Sequence, residues 1–367
     1  MILMNDFKAE PAELKAAMLA AAERVIGSGW YVLGPEVEAF ERRFAAYCSA
    51  RRAVGVGNGM DAIELALRAL GIGPGDEVIT TPMTAFATVL AVLRAGEVPV
   101  LADIDADSAI LSQASVRRCI GPRTKALILV HLYGQVRDMD GWQALCADTG
   151  IALVEDCAQS HGARWGGRTA GTFGRAGAYS FYPTKNLGAL GDGGAVVTDD
   201  ETLAATVSRL RNYGQSERYV HPEIGMNSRL DEMHAAMLSV RMDWLDRYTA
   251  TRRSIAQRYR EGIRQPAVTL LAPPQQADSH VFHLFVVRCA RRDALQAHLK
   301  GHGVQALLHY PVPVQDQAPC RDLKRDPAGL TVSEQHARHC LSLPCHPQMS
   351  DADVKYVVDA VNAFDGG

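Results

Sequence analysis

The segment IALVEDCAQSHGA occupies residues 151–163 and begins with the short apolar run of a buried β-strand. A second segment, GAYSFYPTKNLG at residues 177–188, repeats this change from apolar to polar residues, and GDGG follows at residues 191–194. Short, continuously apolar runs are typical of strands in a parallel sheet. Because the carboxyl ends of such strands meet at one edge, the polar residues after the two runs are predicted to face one small molecule.

Five polar residues of these segments are candidates for one site. Asp156, Gln159 and His161 follow the first run, and Ser180 and Lys185 follow the second. An amine such as Lys185 forms a Schiff base with an aldehyde when an enclosed site keeps it partly neutral. A carboxylate such as Asp156 stabilises a protonated pyridine nitrogen, since an opposite charge shifts a pKa by roughly 1–3 units. The pattern predicts a pyridoxal phosphate pocket, with Lys185 as its anchor and Gln159 near the ring hydroxyl.

Each of these residues also has an ordinary structural interpretation. A lysine is usually a solvated surface charge, although only seven of the 38 basic residues here are lysines. An acid after a strand often caps a helix. Ser180 would then be a plain strand residue, and His161 a hydrogen-bonded turn residue. The ordered set of residues favours the pocket over these separate interpretations.

The motifs resemble those of a known enzyme family. VEDCAQSHGA, SFYPTKNLGA and GDGGAV, in this order, are similar to the core motifs of the DegT/DnrJ/EryC1/StrS nucleotide-sugar aminotransferases. The resemblance extends from SGWYVLGPE at residues 28–36 to LSLP at residues 341–344. It implies the α/β, type I fold of pyridoxal-phosphate-dependent transferases. This fold has a large domain with a mostly parallel central sheet and a smaller α+β C-terminal domain.

Length, charge and hydropathy narrow the functional class. The 367 residues suffice for one large α/β subunit or two unequal domains, and 47% of them are hydrophobic. A net charge of −3 gives no basic field for nucleic acid. No apolar run approaches the roughly 20 residues of a membrane helix, and no charged-then-apolar leader opens the sequence. We therefore expect a cytoplasmic protein that binds neither nucleic acid nor membranes.

The eight cysteines are irregularly spaced and lie mostly in apolar patterns, as reduced core thiols do. One group of potential metal ligands, three histidines and two cysteines, falls between residues 336 and 346. It contains no Cys-x2-Cys pair, and its two cysteines flank a strand pattern. No metal site is therefore predicted.

A turn at residues 57–59, Gly-Asn-Gly, lies between a strand pattern and a helix pattern. Backbone N–H groups at a helix N-terminus form a natural phosphate site. A dinucleotide site is the alternative, but Met60 replaces the third glycine of its fingerprint, and the acids about 20 residues further on precede a strand. The family usually has threonine at the position of Met60. The resemblance therefore implies that the backbone of Gly59, Met60 and Asp61 binds the cofactor phosphate together with Ser180.

Strand and helix patterns alternate from residue 77 to residue 155. This alternation predicts a mostly parallel sheet between helices, with the site at the carboxyl ends of its strands. Phe86 follows the strand that ends near Thr81. By resemblance, its ring stacks on the cofactor, although MTAFAT at residues 83–88 is one residue shorter than the usual family pattern. A core phenylalanine is the alternative.

The segment GMNSRLD at residues 225–231 precedes a long helical pattern. Asn227 and Arg229 there would simply cap that helix in the ordinary interpretation. In the family, the matching asparagine reaches the cofactor phosphate of the neighbouring subunit, which implies a homodimer with shared active sites. The family loop that corresponds to Tyr31 and its neighbours lies near the substrate.

The chain is expected to divide into a large cofactor-binding domain at residues 1–250 and a small C-terminal domain at residues 251–367. Residues 304–309 are predicted to form a strand of the small domain. His309 and Tyr310 end this strand and match the family motif His-Tyr-Pro, which lies by the sugar pocket. They would otherwise be ordinary loop residues. The substrate contacts implied by the resemblance are Tyr31, His161, Arg229, His309 and Tyr310.

The resemblance and the site pattern together predict an aminotransferase that uses pyridoxal phosphate. It would move an amino group from glutamate, through the pyridoxamine form of the cofactor, to a keto-sugar carried on a nucleotide diphosphate. HLYG at residues 131–134 looks most like members that act at C3, which indicates a 3-keto-6-deoxyhexose. A 4-keto sugar is the main alternative. The nucleotide, the product stereochemistry and the choice between glutamate and glutamine are not determined by the sequence.

Three other functions are alternatives to this one. A dehydratase of the same family carries histidine in place of the Schiff-base lysine, whereas Lys185 is present here. A nicotinamide-dependent sugar dehydrogenase requires the dinucleotide fingerprint that is missing. A non-catalytic sensor that binds pyridoxal phosphate predicts a DNA-binding segment or a basic face, and neither is visible in the sequence.

Overall fold

The computed structural model describes residues 1–366. None of the helices in this part of the chain is both long and apolar enough to cross a bilayer. The helices are α1 (Ala12–Ser28), α2 (Pro35–Cys48), α3 (Gly59–Ala69), α4 (Phe86–Ala95), α5 (Gln113–Cys119), α6 (Met139–Thr149), α7 (Glu201–Leu210), α8 (Glu232–Gly262), α9 (Arg292–Gly301), α10 (Thr331–His339) and α11 (Asp351–Asn362).

The strands form a central sheet, a small sheet and a short hairpin. They are β1 (Arg52–Val56), β2 (Glu77–Thr80), β3 (Val98–Leu101), β4 (Thr124–Val130), β5 (Ala152–Asp156), β6 (Arg164–Trp165), β7 (Arg168–Thr169), β8 (Ala176–Ser180), β9 (Gly194–Thr198), β10 (Thr269–Leu270), β11 (Phe285–Arg288), β12 (Lys324–Arg325) and β13 (Cys340–Leu343). The central sheet has the order β1-β9-β8-β5-β4-β2-β3-β12, the small sheet has the order β10-β11-β13, and β6 pairs with β7.

The central sheet is parallel except for β9, which runs antiparallel to both of its neighbours. The register places Val130 of β4 beside Asp156 of β5, and Asp156 beside Ala178 of β8. The carboxyl ends of these three strands therefore lie side by side, as the alternating pattern predicted. The α/β fold class with a mostly parallel sheet is confirmed.

An aromatic cluster packs α2 against the strand that leads to Lys185. Phe40 and Phe44 lie one helical turn apart on the buried face of α2. The ring of Phe44 meets Tyr179 edge-on at 5.0 Å between centroids, and the ring of Phe40 meets Phe181 at 5.3 Å. All four rings are fully buried. Edge-to-face pairs of this kind add about 0.5–1.5 kcal/mol each to the burial of the rings, so they hold the end of β8 firmly.

Helix α8 passes the predicted domain boundary at residue 250 without a break. Leu238, Met242 and Leu245 of this helix belong to the core of the central sheet, whereas its buried side chains from Ile255 onward belong to a second core around Val287 and Leu341 of the small sheet. One continuous helix therefore contributes side chains first to the core of the central sheet and then to the second core. The division at residue 250 remains a prediction.

Part of the C-terminal segment returns to the central sheet. β12 pairs in parallel with β3 at the edge of that sheet. Val314 and Leu330, on either side of β12 in sequence, pack with Leu101 of β3 and Val89 of α4 in a small separate core. Residues 314–330 thus cover the large sheet although they follow the small one in sequence.

The strand predicted at residues 304–309 is wrong. Val304 makes a single parallel bridge to Ile2, and Leu307 makes a single antiparallel bridge to Ser342. Because the two partners belong to different segments of the chain, no continuous ladder forms. The hairpin β6–β7 and the edge strand β12, each only two residues per strand, were not predicted.

Glu97, between α4 and β3, is a buried carboxyl group without a partner. Its side chain is 3% exposed, and neither carboxyl oxygen has a hydrogen-bond partner within residues 1–366. Burial, with the nearby charges of Asp76 and Glu64, raises the pKa of Glu97 to about 8. The group is therefore protonated in the folded protein at neutral pH and becomes a buried charge in alkaline solution.

We predict that Glu97→Gln removes a pH-dependent loss of stability. When the pKa of a carboxyl group is higher in the folded than in the unfolded state, the group stabilises the folded protein. This stabilisation is complete at pH values below the unfolded-state pKa. That stability is lost as the pH rises towards the folded pKa of about 8. Relative to the variant, the wild type should lose roughly 2–4 kcal/mol of unfolding free energy between pH 5 and pH 9, since one pKa unit is worth about 1.4 kcal/mol.

The measurement is urea unfolding of both proteins across this pH range. Glu13→Gln, at an exposed position of α1, serves as the control and should follow the wild-type profile. Parallel profiles for the wild type and Glu97→Gln would contradict the buried-carboxyl explanation.

Candidate active site

Lys185 lies on the turn that follows β8. Its backbone N–H donates to the carbonyl of Tyr182 at 2.8 Å, which fixes the turn. Within residues 1–366 no side chain or carbonyl lies within hydrogen-bond distance of its amine. The side chain keeps some exposed surface, but the protein around the amine lowers the pKa of Lys185 to about 8 through burial, and Asp156 opposes this effect. A large neutral fraction near pH 8 makes this amine a nucleophile and a proton carrier.

Asp156 ends β5 at the carboxyl edge of the sheet and is 6% exposed. Its Oδ2 accepts a hydrogen bond from Thr88 Oγ1 at 2.8 Å, and its Oδ1 accepts one from the backbone N–H of Ala158 at 3.1 Å. Thr88 in turn shares a 2.8 Å hydrogen bond with Thr84. The carboxylate is thus held in one orientation by two donors, as a group that must stabilise a cation in a bound ring requires.

Gln159 is held between two tyrosines. The backbone N–H of Tyr133 donates to its Oε1 at 2.6 Å, and its Nε2 donates to the hydroxyl of Tyr310 at 3.1 Å. The hydroxyl of Tyr133 donates to the carbonyl of His309 at 2.6 Å. These bonds close a ring that ties the end of the first motif to the His309–Tyr310 segment.

The charges of Lys185 and Asp156 shift the pKa values of His309 and Tyr310. Burial and the Lys185 amine lower the pKa of His309 to about 4, while burial and the Asp156 carboxylate raise the pKa of Tyr310 to about 12. His309 Nδ1 also shares a 2.8 Å hydrogen bond with Ser342 Oγ of β13. The structure therefore brings the C-terminal motif to the same place as the two central ones.

The N-terminus of α3 faces the end of β8. A Cβ atom on Gly59 would lie 2.6 Å from Ser180 Cβ, so only glycine permits this close approach. Asn58 caps the helix, and its Oδ1 accepts the backbone N–H of Asp61 at 2.8 Å. The Asp61 N–H is thus already used within the chain, which corrects its expected availability for phosphate. The first N–H groups of the helix, at Gly59 and Met60, have no intrahelical partner.

The model of the DegT/DnrJ/EryC1/StrS aminotransferase family matches residues 12–362. The chain belongs to this family. It is 48% identical over 359 residues to the "Erythromycin biosynthesis sensory transduction protein EryC1" of Saccharopolyspora erythraea, with 98% of each chain covered. It is also 48% identical over 361 residues to a dTDP-3-amino-3,4,6-trideoxy-alpha-D-glucose transaminase of Streptomyces venezuelae, covering 98% of this chain and 95% of that protein.

A solved structure agrees with this assignment. The crystal structure of S. venezuelae DesV in complex with a ketimine intermediate superposes with a TM-score of 0.94 at 46% sequence identity, and 98% of this chain and 97% of that chain are covered. The family resemblance and the fold predicted from the sequence are confirmed.

In this DegT/DnrJ/EryC1/StrS family member, the predicted stacking of Phe86 on the cofactor ring stays a prediction, whereas His161 lies in different surroundings from those predicted. Phe86 begins α4, is half-buried and packs against the core around Val314, which is the surrounding expected of a core phenylalanine. His161 is 0% exposed, and its ring packs against Tyr179 and Phe181. Burial and the Lys185 amine lower its pKa to about 3. A ring without exposed surface does not touch a substrate, so direct substrate contact by His161 is not supported in this conformation.

Tyr31, Asn227 and Arg229 lie away from hydrogen-bond contact with Lys185 and Asp156 in the same chain. Tyr31 is 54% exposed and Asn227 is also exposed. The guanidinium of Arg229 donates to Asn212 at 2.9 Å. Their predicted roles at a site shared with a second subunit stay predictions.

Glu155, which organises the face of β5 opposite to Asp156, was not predicted from the sequence. This carboxylate is 0% exposed and accepts the backbone N–H groups of Gly171 at 2.8 Å, Phe173 at 2.7 Å and Gly174 at 2.8 Å. His131 Nε2 lies 2.8 Å from the same carboxylate. Adjacent strand residues point to opposite faces, so the pair Glu155–Asp156 in the motif was a usable signal for two separate roles.

Two further findings concern histidines. His283, before β11, is buried, and its pKa is lowered well below its usual value, first by burial and next by the Lys185 amine; no sequence signal pointed to it.

Within residues 1–366, the group of side chains close enough to share a metal ion is His131, Glu155 and Cys157. The hydrogen bonds just described already use the Glu155 carboxylate, so we assign these residues a structural role.

We predict that Glu155→Gln destabilises the enzyme by about 2–4 kcal/mol, because the variant loses the negative charge and turns an amide group towards three buried N–H donors. Urea unfolding at pH 7.5 measures the difference. The matched control is Glu201→Gln, which removes an exposed partner 3.0 Å from Arg52 and should change the free energy of unfolding by less than about 1 kcal/mol. Equal small effects in both variants would contradict the structural role of Glu155.

Proposed function

We propose that this chain is a pyridoxal-phosphate-dependent aminotransferase that moves an amino group from glutamate to C3 of a 6-deoxy keto-sugar carried on a nucleotide diphosphate. The observation that carries the proposal is the pair Lys185 and Asp156. A lysine with a pKa near 8 stands at the end of one buried strand and a fixed carboxylate at the end of its neighbour. The name of the S. venezuelae relative, a 3-amino-sugar transaminase, supports the choice of sugar carbon.

The residues at the site fit the proposed cofactor. Lys185 offers an amine without a competing hydrogen bond from residues 1–366. Asp156 offers a carboxylate for the ring nitrogen, and Gln159 offers a second N–H on Nε2 for the ring hydroxyl. The amides of Gly59 and Met60 at the N-terminus of α3 would hold the phosphate, because partial positive charge accumulates at that end of a helix. When bound, the cofactor supplies an electron sink for the negative charge that develops on the reacting carbon.

The chain's own residues then position and transfer protons. With the cofactor bound, the amine of Lys185 would carry a proton to and from the α-carbon of glutamate, and a pKa of about 8 suits both directions of this transfer. Asp156 would place its side chain, held by Thr88 and the backbone of Ala158, against the ring nitrogen. The ring of hydrogen bonds around Gln159 fixes the position of the Tyr310 hydroxyl beside the Gln159 amide.

The sugar is proposed to lie on the side of His309 and Tyr310, which already approach Lys185 and Asp156. Tyr31 and Arg229 would contact it from the neighbouring subunit. We omit His161 from these contacts because its ring is fully buried. A 4-keto sugar, which would also reach this open side, is the alternative substrate.

A non-catalytic sensor is a second candidate, because the EryC1 relative is described as a sensory transduction protein. The two candidates make opposite predictions for one experiment. The purified protein, loaded with pyridoxal phosphate, is incubated with glutamate and a panel of 3-keto and 4-keto nucleotide sugars, and products are identified by mass spectrometry. We expect an amino sugar from a 3-keto substrate. Retained cofactor absorbance with no transfer to any sugar would favour the sensor.

We predict that Lys185→Arg abolishes transfer and the absorbance of the lysine-bound cofactor, since a guanidinium does not form the Schiff base. The variant keeps the positive charge, so its folding should be unchanged in a thermal melt. Normal turnover in Lys185→Arg would refute the proposed mechanism.

We propose further that two copies of the chain share their active sites. Asn227 is exposed, and the segment that precedes it exposes the apolar groups of Tyr219, Val220 and Ile224, at 80%, 51% and 88% respectively. A run of exposed apolar side chains is typical of a surface that another protein covers. With Asn227 placed against the phosphate of the partner's cofactor, each site would need residues from both subunits.

A mixed-dimer experiment tests this arrangement. Lys185→Ala and Asn227→Asp are each expected to be nearly inactive, the second because its carboxylate would repel the cofactor phosphate. Co-expressed with different tags, they should recover roughly a quarter of wild-type activity, because half of the dimers are mixed and one of their two sites carries both native residues. No recovery in isolated mixed dimers would place Asn227 and Lys185 in the same chain's site.

A further inference from the structure

Asn186, the residue after Lys185, attaches the Lys185 turn to the segment that leads into β11. Its side-chain Nδ2 donates to the carbonyl of Val281 at 3.1 Å. Its Oδ1 lies 3.3 Å from Nδ1 of His283, within hydrogen-bond distance. These partners lie 95 and 97 residues further along the chain, so the Asn186 amide ties the turn to a remote segment.

The segment around Val281 is a firm support, because other contacts hold it. The backbone N–H of Val281 donates to the carbonyl of Gly134 at 2.9 Å, and the guanidinium of Arg252 in α8 donates to the carbonyl of His283 at 3.4 Å. A Cβ atom on Gly134 would lie 2.7 Å from the carbonyl oxygen of Gln159 and 3.0 Å from the backbone nitrogen of His283, so only glycine fits between them. The segment is therefore packed directly against the backbone of a residue whose side chain belongs to the candidate site.

The hydrogen bonds of Asn186 fix the proton of the His283 ring. Because the Nδ2 group donates to the Val281 carbonyl, the atom that faces the ring is Oδ1, which only accepts. His283 Nδ1 must therefore carry a proton and donate it. Burial, and next the Lys185 amine, lower the pKa of His283 well below its usual value, so the ring is neutral at pH 7 and Nδ1 holds its single N–H.

We propose that Asn186 is a positioning residue for Lys185. Its two hydrogen bonds hold the backbone of the turn next to Lys185 and so fix the point from which the lysine side chain enters the site. The inference rests on the function proposed above, because Asn186 acts only through the Lys185 amine. A displacement of about 1 Å in a reacting group can slow a reaction about 100-fold, so loss of the link should slow proton transfer by Lys185.

Three variants separate the two bonds. Asn186→Leu removes both and roughly keeps the volume of the side chain, whereas His283→Leu removes only the Nδ1–H donor. In asparagine the amide nitrogen is bonded to Cγ, as Nδ1 is in histidine. His283→Asn therefore places an N–H close to the same position and should restore the bond to Asn186. This pair of His283 variants tests the link even if Asn186→Leu does not fold.

Asn362→Leu is the matched control. The Asn362 side chain is also half-buried and also joins two segments. Its Oδ1 accepts the backbone N–H of Arg264 at 2.7 Å, and its Nδ2 donates to the carbonyl of Gly262 at 2.9 Å. These bonds connect the ends of α8 and α11. The variant should therefore lose stability without altering the Lys185 turn.

The experiment follows the absorbance of the lysine-bound cofactor in the loaded protein after mixing with glutamate or with glutamate deuterated at its α-carbon. We expect Asn186→Leu to react at least ~10-fold more slowly at saturating glutamate. The ratio of the two rates should increase, because transfer of the α-proton becomes more strongly rate-limiting. The half-saturating glutamate concentration should change less than ~3-fold, since Asn186 is bonded within the chain and is assigned no substrate contact.

A second measurement needs no turnover. Before glutamate is added, the visible circular dichroism of the bound cofactor, relative to its absorbance, should decrease in Asn186→Leu, because this signal depends on one fixed orientation of the cofactor. His283→Leu should show smaller changes in the same direction in both measurements. His283→Asn and Asn362→Leu should lie close to the wild type.

An unchanged isotope ratio and unchanged circular dichroism in Asn186→Leu would overturn the positioning role. Equal effects of His283→Asn and His283→Leu would overturn it as well, and so would an effect of Asn362→Leu as large as that of Asn186→Leu. Failure of the proposed function looks different. The wild type itself would then form no lysine-bound cofactor, which refutes the function and this role together before any variant is compared.

Discussion

Two neighbouring carboxylates at the end of β5 point to opposite faces of the central sheet, and the site depends on this alternation. Glu155 gathers three backbone N–H groups and His131 on one face. Asp156 meets Thr88 of α4 on the other. A shift of β5 by one residue would exchange the two groups and leave the loop at residues 171–174 without acceptors. The buried register of the parallel strands prevents such a shift, so the position of Asp156 is fixed by the same pairing that forms the sheet.

The charge state of Lys185 follows from its neighbours as well as from its burial. Burial lowers the pKa of His161, His283 and His309, and the Lys185 amine lowers it further. Each of the three imidazoles is therefore neutral near pH 7. A charged imidazolium here would lower the lysine pKa further, whereas the Asp156 carboxylate raises it. The balance leaves the amine with a pKa near 8, close to the ambient pH at which a group that both accepts and returns a proton works best.

The pocket also depends on contacts between the two cores. Arg252 of α8 is a buried cation that donates to the carbonyls of Phe282, His283 and Cys345, and so holds the chain that enters the small sheet. Tyr133 reaches from the large core to the carbonyl of His309. Because α8 is shared by both cores, the small sheet is held against the large one at the same place where these polar contacts form. The geometry around Lys185 is thus a property of the whole chain.

The sequence by itself determined the mostly parallel sheet, because strand periodicity and the carboxyl-edge rule act over short stretches, and it predicted one site for Asp156, Gln159, Ser180 and Lys185. It also identified His309 and Tyr310, through a motif. It failed at residues 304–309, where two distant segments each supply one bridge, and it did not anticipate that Asn58 occupies the Asp61 amide or that aromatic rings enclose His161. Only the tertiary structure decided these points, and with them the lowered pKa of Lys185. Burial and hydrogen-bond partnership depend on which remote residues are packed together, and local sequence does not carry that information.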